Sequence, residues 1–209
     1  MNPALVAVLE ESRQLGYLGP GPVEPHMDHA AAFAAATTEP PARALDLGAG
    51  GGLPGLVLAA DHWPETRWTF LDAQAKRTDF LRGQVAALGL EGRVEVVTAR
   101  AEEAGRDPSH RAGYDLVVAR SFAAPPVTAE CSAPLLTRRG WLLVSEPPAG
   151  DLERRWPTEG LRLVGFGPPE NVLIETASGP VHLMRTQLMN EPGDQYPRRV
   201  GIPAKRPLY

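Results

Sequence analysis

Cysteine is scarce in the 209-residue chain, and long apolar runs are missing. Cys131 is the single cysteine, which excludes an internal disulfide framework and a cysteine-rich zinc site. No apolar run approaches the roughly 20 residues of a membrane-spanning helix, and residues 1–11 lack the basic segment of a secretory signal. We therefore expect a cytoplasmic protein that contacts no membrane and holds no metal.

An excess of positive charge is also missing, because the formal net charge is −4. A net-acidic protein does not coat nucleic acid indiscriminately, so any RNA partner must meet a local basic patch. Apolar residues make up 43% of the chain, which is enough for one sizeable core. Length and composition together predict a single domain over residues 1–209.

Changes of pattern separate three segments within this domain. Residues 1–41 predict a helical cap, with short helices over residues 4–15 and 26–36. Residues 42–190 predict the core. Residues 191–209 predict a basic, proline-rich tail that is extended; a tail folded back onto its own domain is the alternative.

The core alternates between apolar runs and helical segments, which predicts an α/β fold with a buried, mostly parallel sheet. Helices are predicted to begin at Leu53 and Lys76. The last two apolar runs have no convincing helix between them and predict an antiparallel pair. The predicted strands, in chain order, are Ala44–Gly48, Trp68–Asp72, Val94–Val97, Tyr114–Ala119, Trp141–Val144, Leu161–Gly167 and Val181–Thr186.

The first strand leads into a glycine-rich turn that indicates a cofactor site. Gly50, Gly52 and Gly55 satisfy the G-x-G-x-x-G pattern. The acid Asp72 follows about 20 residues later, as in dinucleotide-binding folds. A nicotinamide enzyme is therefore one interpretation, and a tight turn without a ligand is another. Asp46, immediately before the turn, favours S-adenosylmethionine (SAM), because its carboxylate can organise the loop and approach the methionyl ammonium. The antiparallel pair also suits a seven-stranded methyltransferase sheet better than the all-parallel sheet of a dinucleotide-binding fold.

Polar side chains follow the other strands at the same edge of the predicted sheet. Asp72 can accept hydrogen bonds from both ribose hydroxyls of a cofactor, or it can cap the following helix. Ala101 and Glu102 lie where an adenine is usually gripped, although acids at a helix start are commonly just solvated. Arg120 can hold a phosphate or a base edge and so position a substrate; a salt bridge to a nearby acid is the alternative.

Motifs that create a nucleophile by deprotonation are missing. Methyltransferases of exocyclic amines usually carry an Asn/Asp-Pro-Pro-aromatic motif after the fourth strand, where this chain has Ala119-Arg120-Ser121-Phe122. Pyrimidine C5 enzymes use an activated cysteine, whereas Cys131 lies in a predicted helix in the manner of a core residue. A nucleophile with a free lone pair, such as guanine N7, needs positioning and electrostatics but no general base. No catalytic acid or base is therefore predicted.

Several stretches resemble the bacterial glucose-inhibited division protein B family, the 16S ribosomal RNA guanine-N7 methyltransferases of the small subunit. They are residues 46–55 (DLGAGGGLPG), Leu71-Asp72 with Lys76-Arg77, residues 100–103 (RAEE), Tyr114-Asp115 leading to Ala119-Arg120-Ser121, and the tail over residues 196–208. The resemblance implies a class I SAM-dependent methyltransferase fold (Rossmann-like), SAM as the cofactor, and 16S rRNA in the small ribosomal subunit as the partner.

The same resemblance implies the residues of the site. Those that would contact or border SAM are Gly48, Leu53, Ala101, Glu102 and Arg120, with Asp46 and Asp72 close by and Gly50 in the same turn. The tail would meet RNA through its cations and one aromatic ring that can stack on a base, namely Arg198, Arg199, Lys205, Arg206 and Tyr196.

The N-terminal segment departs from the family pattern. It is shorter ahead of the glycine turn, it lacks an Asn-Leu-Thr segment, and His26-Met27-Asp28-His29 is only loosely similar to His-x-x-Asp-Ser-Leu. If this cap shapes the acceptor pocket, a family-derived methyltransferase of a small molecule or peptide is an alternative. A non-enzymatic binding protein that keeps the fold is another.

Overall fold

The computed structural model describes residues 2–148 and 151–209; the predicted cap and core also include Met1, Ala149 and Gly150, which lie outside the described residues. The strands are β1 (Arg43–Leu47), β2 (Arg67–Asp72), β3 (Val94–Thr98), β4 (Tyr114–Ala119), β5 (Leu136–Glu146), β6 (Glu170–Thr176) and β7 (Gly179–Gln187). The helices are α1 (Pro3–Gln14), α2 (Glu24–Ala35), α3 (Gly55–Val57), α4 (Ala75–Ala87), α5 (Ala101–Ala104), α6 (Pro125–Ser132), α7 (Leu152–Arg155), α8 (Thr158–Arg162) and α9 (Ile202–Lys205). A π-helical turn (Leu58–His62) continues α3, and a 3-10 turn (Ala133–Leu135) continues α6.

All seven strands form one sheet in the order β3-β2-β1-β4-β5-β7-β6. Strands β1 to β5 are parallel, whereas β7 runs antiparallel to β5, and β6 antiparallel to β7. The predicted parallel sheet with an antiparallel C-terminal pair is therefore confirmed. From β1 the chain first adds strands on one side and then, with β4, on the other. Such a reversal opens a crevice beyond the carboxyl ends of the two strands.

The first member of the antiparallel pair lies further along the chain than predicted. Residues 161–167 do not form a strand: Leu161 belongs to α8, and Phe166 makes only an isolated bridge to Leu188. Leu161 and Val164 are both fully buried, and their spacing of three residues fits a helical turn rather than strand alternation. The edge strand is β6, whose side chains alternate between half-buried and exposed. The sequence analysis did not predict β6, because this strand has no clear apolar pattern.

Two helices, α1 and α2, precede the sheet as predicted, and they belong to its main core. Asn2 caps α1 by accepting a hydrogen bond from the N–H of Ala4 (3.1 Å). Leu5, Leu9 and Phe33 are fully buried in the same hydrophobic cluster as Leu56 of α3. The cap is therefore packed against the segment that follows the glycine turn.

The tail is folded back onto the domain, contrary to the prediction of an extended segment. It contains α9, and the side chains of Tyr196 and Leu208 pack against the second hydrophobic cluster. The ring of Tyr209 lies directly against Gly160 of α8. The alternative arrangement therefore holds, and the tail contributes to the surface of the core.

Candidate cofactor site

Two adjoining cavities open at the carboxyl ends of the parallel strands. The larger, of about 600 Å³, is lined by the ends of β1 and β2 and by the segment after β3. The smaller, of about 200 Å³, lies between the glycine turn and residues 17–19 of the cap. Gly48, Arg77 and Ser121 line both cavities, so the two form one continuous crevice.

Seven of the eight predicted cofactor residues line this crevice. The larger cavity has Asp72, Ala101 and Glu102 in its wall, the smaller has Gly50, Leu53 and Arg120, and Gly48 belongs to both. The eighth residue, Asp46, is fully buried behind the turn. The fold thus brings the whole predicted set to one sheet edge.

The glycine turn adopts a conformation that side chains would block. Gly48 has a φ of 75°, and a Cβ atom on it would lie 2.6 Å from the ring of Phe122. Gly52 has a φ of 101°, and a Cβ there would overlap Leu56. Bare backbone lets the chain turn sharply between β1 and α3. The cap holds the turn in place, because Ser12 Oγ on α1 donates a hydrogen bond to Gly51 O (2.9 Å).

Asp72 ties the end of β2 to the glycine turn. Its Oδ2 accepts a hydrogen bond from the N–H of Gly50 (3.0 Å), and its Oδ1 accepts one from the N–H of Gln74 (2.8 Å). Arg77 Nη1 lies 3.7 Å from Oδ2. Asp72 does not cap α4, since it reaches only Gln74, which precedes that helix. Each carboxylate oxygen can accept a second hydrogen bond, so Asp72 keeps the capacity for the predicted ribose contact.

Asp46 is a buried carboxyl group with one satisfied oxygen. Its Oδ2 accepts a hydrogen bond from the N–H of Gly55 (2.8 Å), whereas its Oδ1 has no partner among the described residues. Burial raises the pKa of Asp46 to about 7. The Gly55 N–H and the Arg120 guanidinium oppose this rise, and the Asp72 carboxylate adds to it. A buried oxygen without a partner is costly unless a ligand or water satisfies it.

Arg120, at the end of β4, is held by the N-terminal cap. Its Nη2 donates a hydrogen bond of 2.9 Å to Nδ1 of His26 on α2, so its partner is a histidine rather than an acid. A guanidinium can only donate, so this bond requires an unprotonated Nδ1 and a neutral His26. Burial, and then the charge of Arg120, lower the pKa of His26. Arg120 Nη1 is buried and has no partner within residues 2–148 and 151–209.

A second histidine of α2 extends this arrangement. His29 Nε2 lies 3.1 Å from Ser145 Oγ at the end of β5. Burial, followed by the charges of Arg120 and His26, lowers the pKa of His29 to about 4. Both histidines are therefore neutral at pH 7, and α2 supplies hydrogen-bonding groups without adding positive charge.

The tail forms part of the larger cavity. Glu102 Oε1 accepts a hydrogen bond from the N–H of Gly201 (2.9 Å). Gly201, Ala204 and Lys205 line the cavity together with Glu102. A segment that the sequence assigned to RNA contact therefore also borders the predicted cofactor site.

The predicted RNA-binding residues of the tail differ in exposure. Arg199, Lys205 and Arg206 are exposed, whereas Tyr196 and Arg198 are half-buried. The charge of Arg198 is neutralised within the fold, because its Nη2 lies 2.6 Å from Oε2 of the buried Glu130. The three exposed cations remain candidates for RNA contact.

Sequence reasoning missed Glu130 and the role of His26. Glu130 lies in the buried run Thr128–Ser132 of α6, and a carboxylate among buried neighbours signals a partner elsewhere in the fold. No local signal joined His26 to Arg120. Cys131 lines the larger cavity, but burial and the nearby Glu102 and Glu130 raise the pKa of its thiol. A protonated thiol is a poor nucleophile, which agrees with the interpretation as a core residue.

Neither a metal centre nor a membrane-spanning helix occurs in the part of the chain that the structure describes. No group of three or more His, Cys, Asp or Glu side chains could hold a metal ion there. None of the helices is long and apolar enough to cross a membrane.

The strand order, the reversed β7 and the glycine turn that faces the acid after β2 define a class I SAM-dependent methyltransferase fold. A solved structure with this fold is the O-methyltransferase from Bacillus cereus in complex with SAH. It aligns with a TM-score of 0.62 at 15% identity and covers 90% of this chain and 91% of that one. At this identity the likeness shows the fold alone.

Residues 23–146 match the family described as GidB: rRNA small subunit methyltransferase G, and the chain belongs to that family. It is 38% identical over 167 residues to the ribosomal RNA small subunit methyltransferase G of Parasynechococcus marenigrum. This alignment covers 79% of the chain and 67% of the relative. The relative of the same name from Moorella thermoacetica is 33% identical over 184 residues, with coverages of 87% and 76%. The family resemblance predicted from the sequence is confirmed.

Proposed function

We propose that the protein is a SAM-dependent methyltransferase that methylates N7 of a guanine in 16S rRNA of the small ribosomal subunit, in the cytoplasm. Family membership supports this proposal. The observation that carries it is the lining of the larger cavity, which combines three cationic side chains, Arg77, Arg100 and Lys205, with two carboxylates, Asp72 and Glu102, that already accept hydrogen bonds from backbone N–H groups.

The crevice fits the charges of SAM. Asp46 Oδ1 and Arg120 Nη1 are buried atoms of an acid and a base, and neither has a partner among the described residues. The methionyl part of SAM carries an ammonium and a carboxylate, which can compensate such a pair. Asp72 offers free acceptor capacity for ribose hydroxyls at the other end of the crevice. The glycine turn between them lets a ligand approach the backbone closely.

The cavity suits an acceptor atom that loses no proton. Asp72 and Glu102 both accept hydrogen bonds from backbone N–H groups, and the Cys131 thiol is held protonated. When bound, SAM supplies an electrophilic methyl group, and guanine N7 already has a lone pair. The residues of the crevice then have to bind, orient and exclude water, and these tasks need no general base.

The larger cavity supplies a local basic patch, as an RNA partner requires, because its lining holds three cations against the two carboxylates Asp72 and Glu102. The formal net charge of the chain is −4, yet Arg77, Arg100 and Lys205 meet at one cavity. The exposed tail cations Arg199 and Arg206 belong to the segment that borders this cavity. Phosphate contacts made by such a group position RNA over the cofactor crevice.

Labelling of small ribosomal subunits tests this proposal. Subunits whose 16S rRNA lacks 7-methylguanosine are incubated with SAM and the protein, and the nucleosides are then analysed by mass spectrometry. We expect new 7-methylguanosine with the wild-type protein. Asp72→Ala should reduce it strongly, and Asp79→Ala, the same change at an exposed site on α4, should not. Absence of 7-methylguanosine with a wild-type protein that binds SAM would contradict methylation of guanine N7 in 16S rRNA.

A methyltransferase of a small molecule or peptide is the second candidate. The acidic net charge and the divergent His26–His29 segment favour it. Salt separates the two candidates, because neutralised phosphates make RNA binding fall steeply with salt concentration. Turnover that is insensitive between 50 and 200 mM salt, roughly the range over which phosphate contacts weaken, would favour the small acceptor.

A further inference from the structure

A fully buried carboxylate, Glu130 on α6, lies outside the chemistry proposed above. Its Oε1 accepts hydrogen bonds from the backbone N–H (2.8 Å) and the Nε (2.9 Å) of Arg198. Its Oε2 accepts a third from Nη2 of the same residue (2.6 Å). Loss of one partner from such a pair leaves an uncompensated buried charge. The contact therefore anchors the tail firmly to α6.

Arg198 also holds the far end of the tail loop, which we define as residues 198–206. Its Nη2 donates a hydrogen bond to Arg206 O (2.7 Å), so the guanidinium closes the loop that contains α9. Within the loop, the N–H of Gly201 donates to Glu102 Oε1 (2.9 Å). Two carboxylates, one on α5 and one on α6, thus fasten the tail loop to the core.

Further hydrogen bonds hold the chain that leads into this loop. Arg111 Nη1 donates to Tyr196 O and to Gly105 O, at 2.9 Å each. Arg106 Nη2 donates to Gln195 O (3.1 Å). The route of the tail up to Arg198 is therefore fixed by side chains of the segment between β3 and β4.

The tail loop is a wall of the larger cavity, since Gly201, Ala204 and Lys205 line it together with Asp72. We infer that Glu130 is a positioning residue of the SAM site: by binding Arg198, it holds the tail loop in place as that wall. The inference rests on the proposed SAM site. It assigns to the tail a role in cofactor binding in addition to its predicted contact with RNA.

Trypsin digestion of the wild-type protein gives the first test. The tail loop offers cleavage sites after Arg198, Arg199 and Lys205. If the loop is a wall of the SAM site, saturating SAM should slow cleavage there by about tenfold, because a ligand that requires the closed loop reduces its opening. Cleavage after Arg162, an exposed residue of α8, serves as the internal control and should not slow.

Calorimetric titration of four variants with SAM gives the second test. Glu130→Gln and Arg198→Met should each raise the Kd for SAM about tenfold, in the range usual for coupled sites. Val200→Ala, in the same loop but exposed, should keep the wild-type Kd. Leu90→Ala removes a buried side chain just before the start of β3. This position is at the amino ends of the parallel strands, whereas the cofactor crevice is at their carboxyl ends. Leu90→Ala should lower the melting temperature and leave the Kd unchanged, which separates positioning from general stability.

The outcomes distinguish the inference from the proposed function. A wild-type protein that does not bind SAM overturns both. A wild-type protein that binds SAM, with no protection of the tail loop and a wild-type Kd for Arg198→Met, overturns the positioning role alone. If Glu130→Gln does not fold, Arg198→Met and the protection assay decide the question. A raised Kd together with tail protection supports the role of Glu130 and Arg198.

Discussion

Replacing Asp72 by alanine tests the connection between the end of β2 and the cofactor. The change removes the hydrogen bonds from the N–H groups of Gly50 and Gln74 and the proposed acceptor for the ribose hydroxyls. A hydrogen bond to a charged group contributes about 1.5–3 kcal/mol. The glycine turn is also held by Ser12, so we expect it to keep most of its conformation. The affinity for SAM should therefore fall by about 1–3 kcal/mol, which corresponds to a rise in Kd of about 5- to 150-fold.

Calorimetric titration with SAM measures this loss, and Asp79→Ala is the matched control. Asp79 lies on α4, its side chain is 72% exposed, and its ion pair with Arg82 is a surface contact. Such pairs contribute little, so the control should bind SAM with the wild-type Kd. An unchanged Kd in a folded Asp72→Ala protein would refute the ribose contact. An equal loss in both variants would show that net charge, and not the position of the carboxylate, determines the affinity.

Three further predictions concern stability, all measured by thermal or denaturant unfolding. Gly83→Ala in the middle of α4 should raise the free energy of unfolding by about 0.5–1 kcal/mol, because a Cβ there meets nothing within 4 Å. Gly52→Ala should lower the free energy of unfolding, because the φ of Gly52 is 101° and a Cβ there would overlap its neighbours. If Gly52→Ala and Gly83→Ala changed the free energy of unfolding equally, the geometry of the turn would be contradicted. The pKa of His29 is lowered to about 4 from 6.5, so the unfolded chain binds more protons between these values and stability falls as the pH decreases from 6.5 to 4. His29→Gln should remove about 2 kcal/mol of that fall, less than the roughly 3.4 kcal/mol that a shift of this size gives for a fully buried group, because solvent screens the part-exposed His29 ring. His62→Gln, at an exposed site, is the matched control. The comparison with the variants is essential because Asp46, with a pKa of about 7, contributes in the opposite sense.

Much of the fold followed from local patterns. Apolar runs predicted the parallel strands, because strands buried on both faces are apolar nearly throughout. The prediction failed over residues 161–167, where Leu161 and Val164 are buried by a helical turn. It also missed β6, whose side chains are half-buried or exposed. An edge strand draws its stability from pairing with β7, and that contact leaves little trace in its own composition.

The cofactor edge was also accessible to sequence reasoning. The carboxyl ends of parallel strands meet at one edge of a sheet, so residues placed after β1, β2, β3 and β4 must lie close together. Seven of the eight predicted residues line the crevice, and Asp46 lies behind it. Their roles in binding stay predictions that the titrations above address.

Sequence by itself determined the parallel strands, the glycine turn and the set of residues at the cofactor edge, because each depends on local chemistry and on the direction of parallel strands. Only the tertiary structure decided which buried groups pair. His26 meets Arg120 across 94 residues, and Glu130 meets Arg198 across 68. A buried polar group needs a partner, but the partner is chosen by the packing of distant elements. For the same reason, only the fold shows that the tail and the glycine turn line the same cavity.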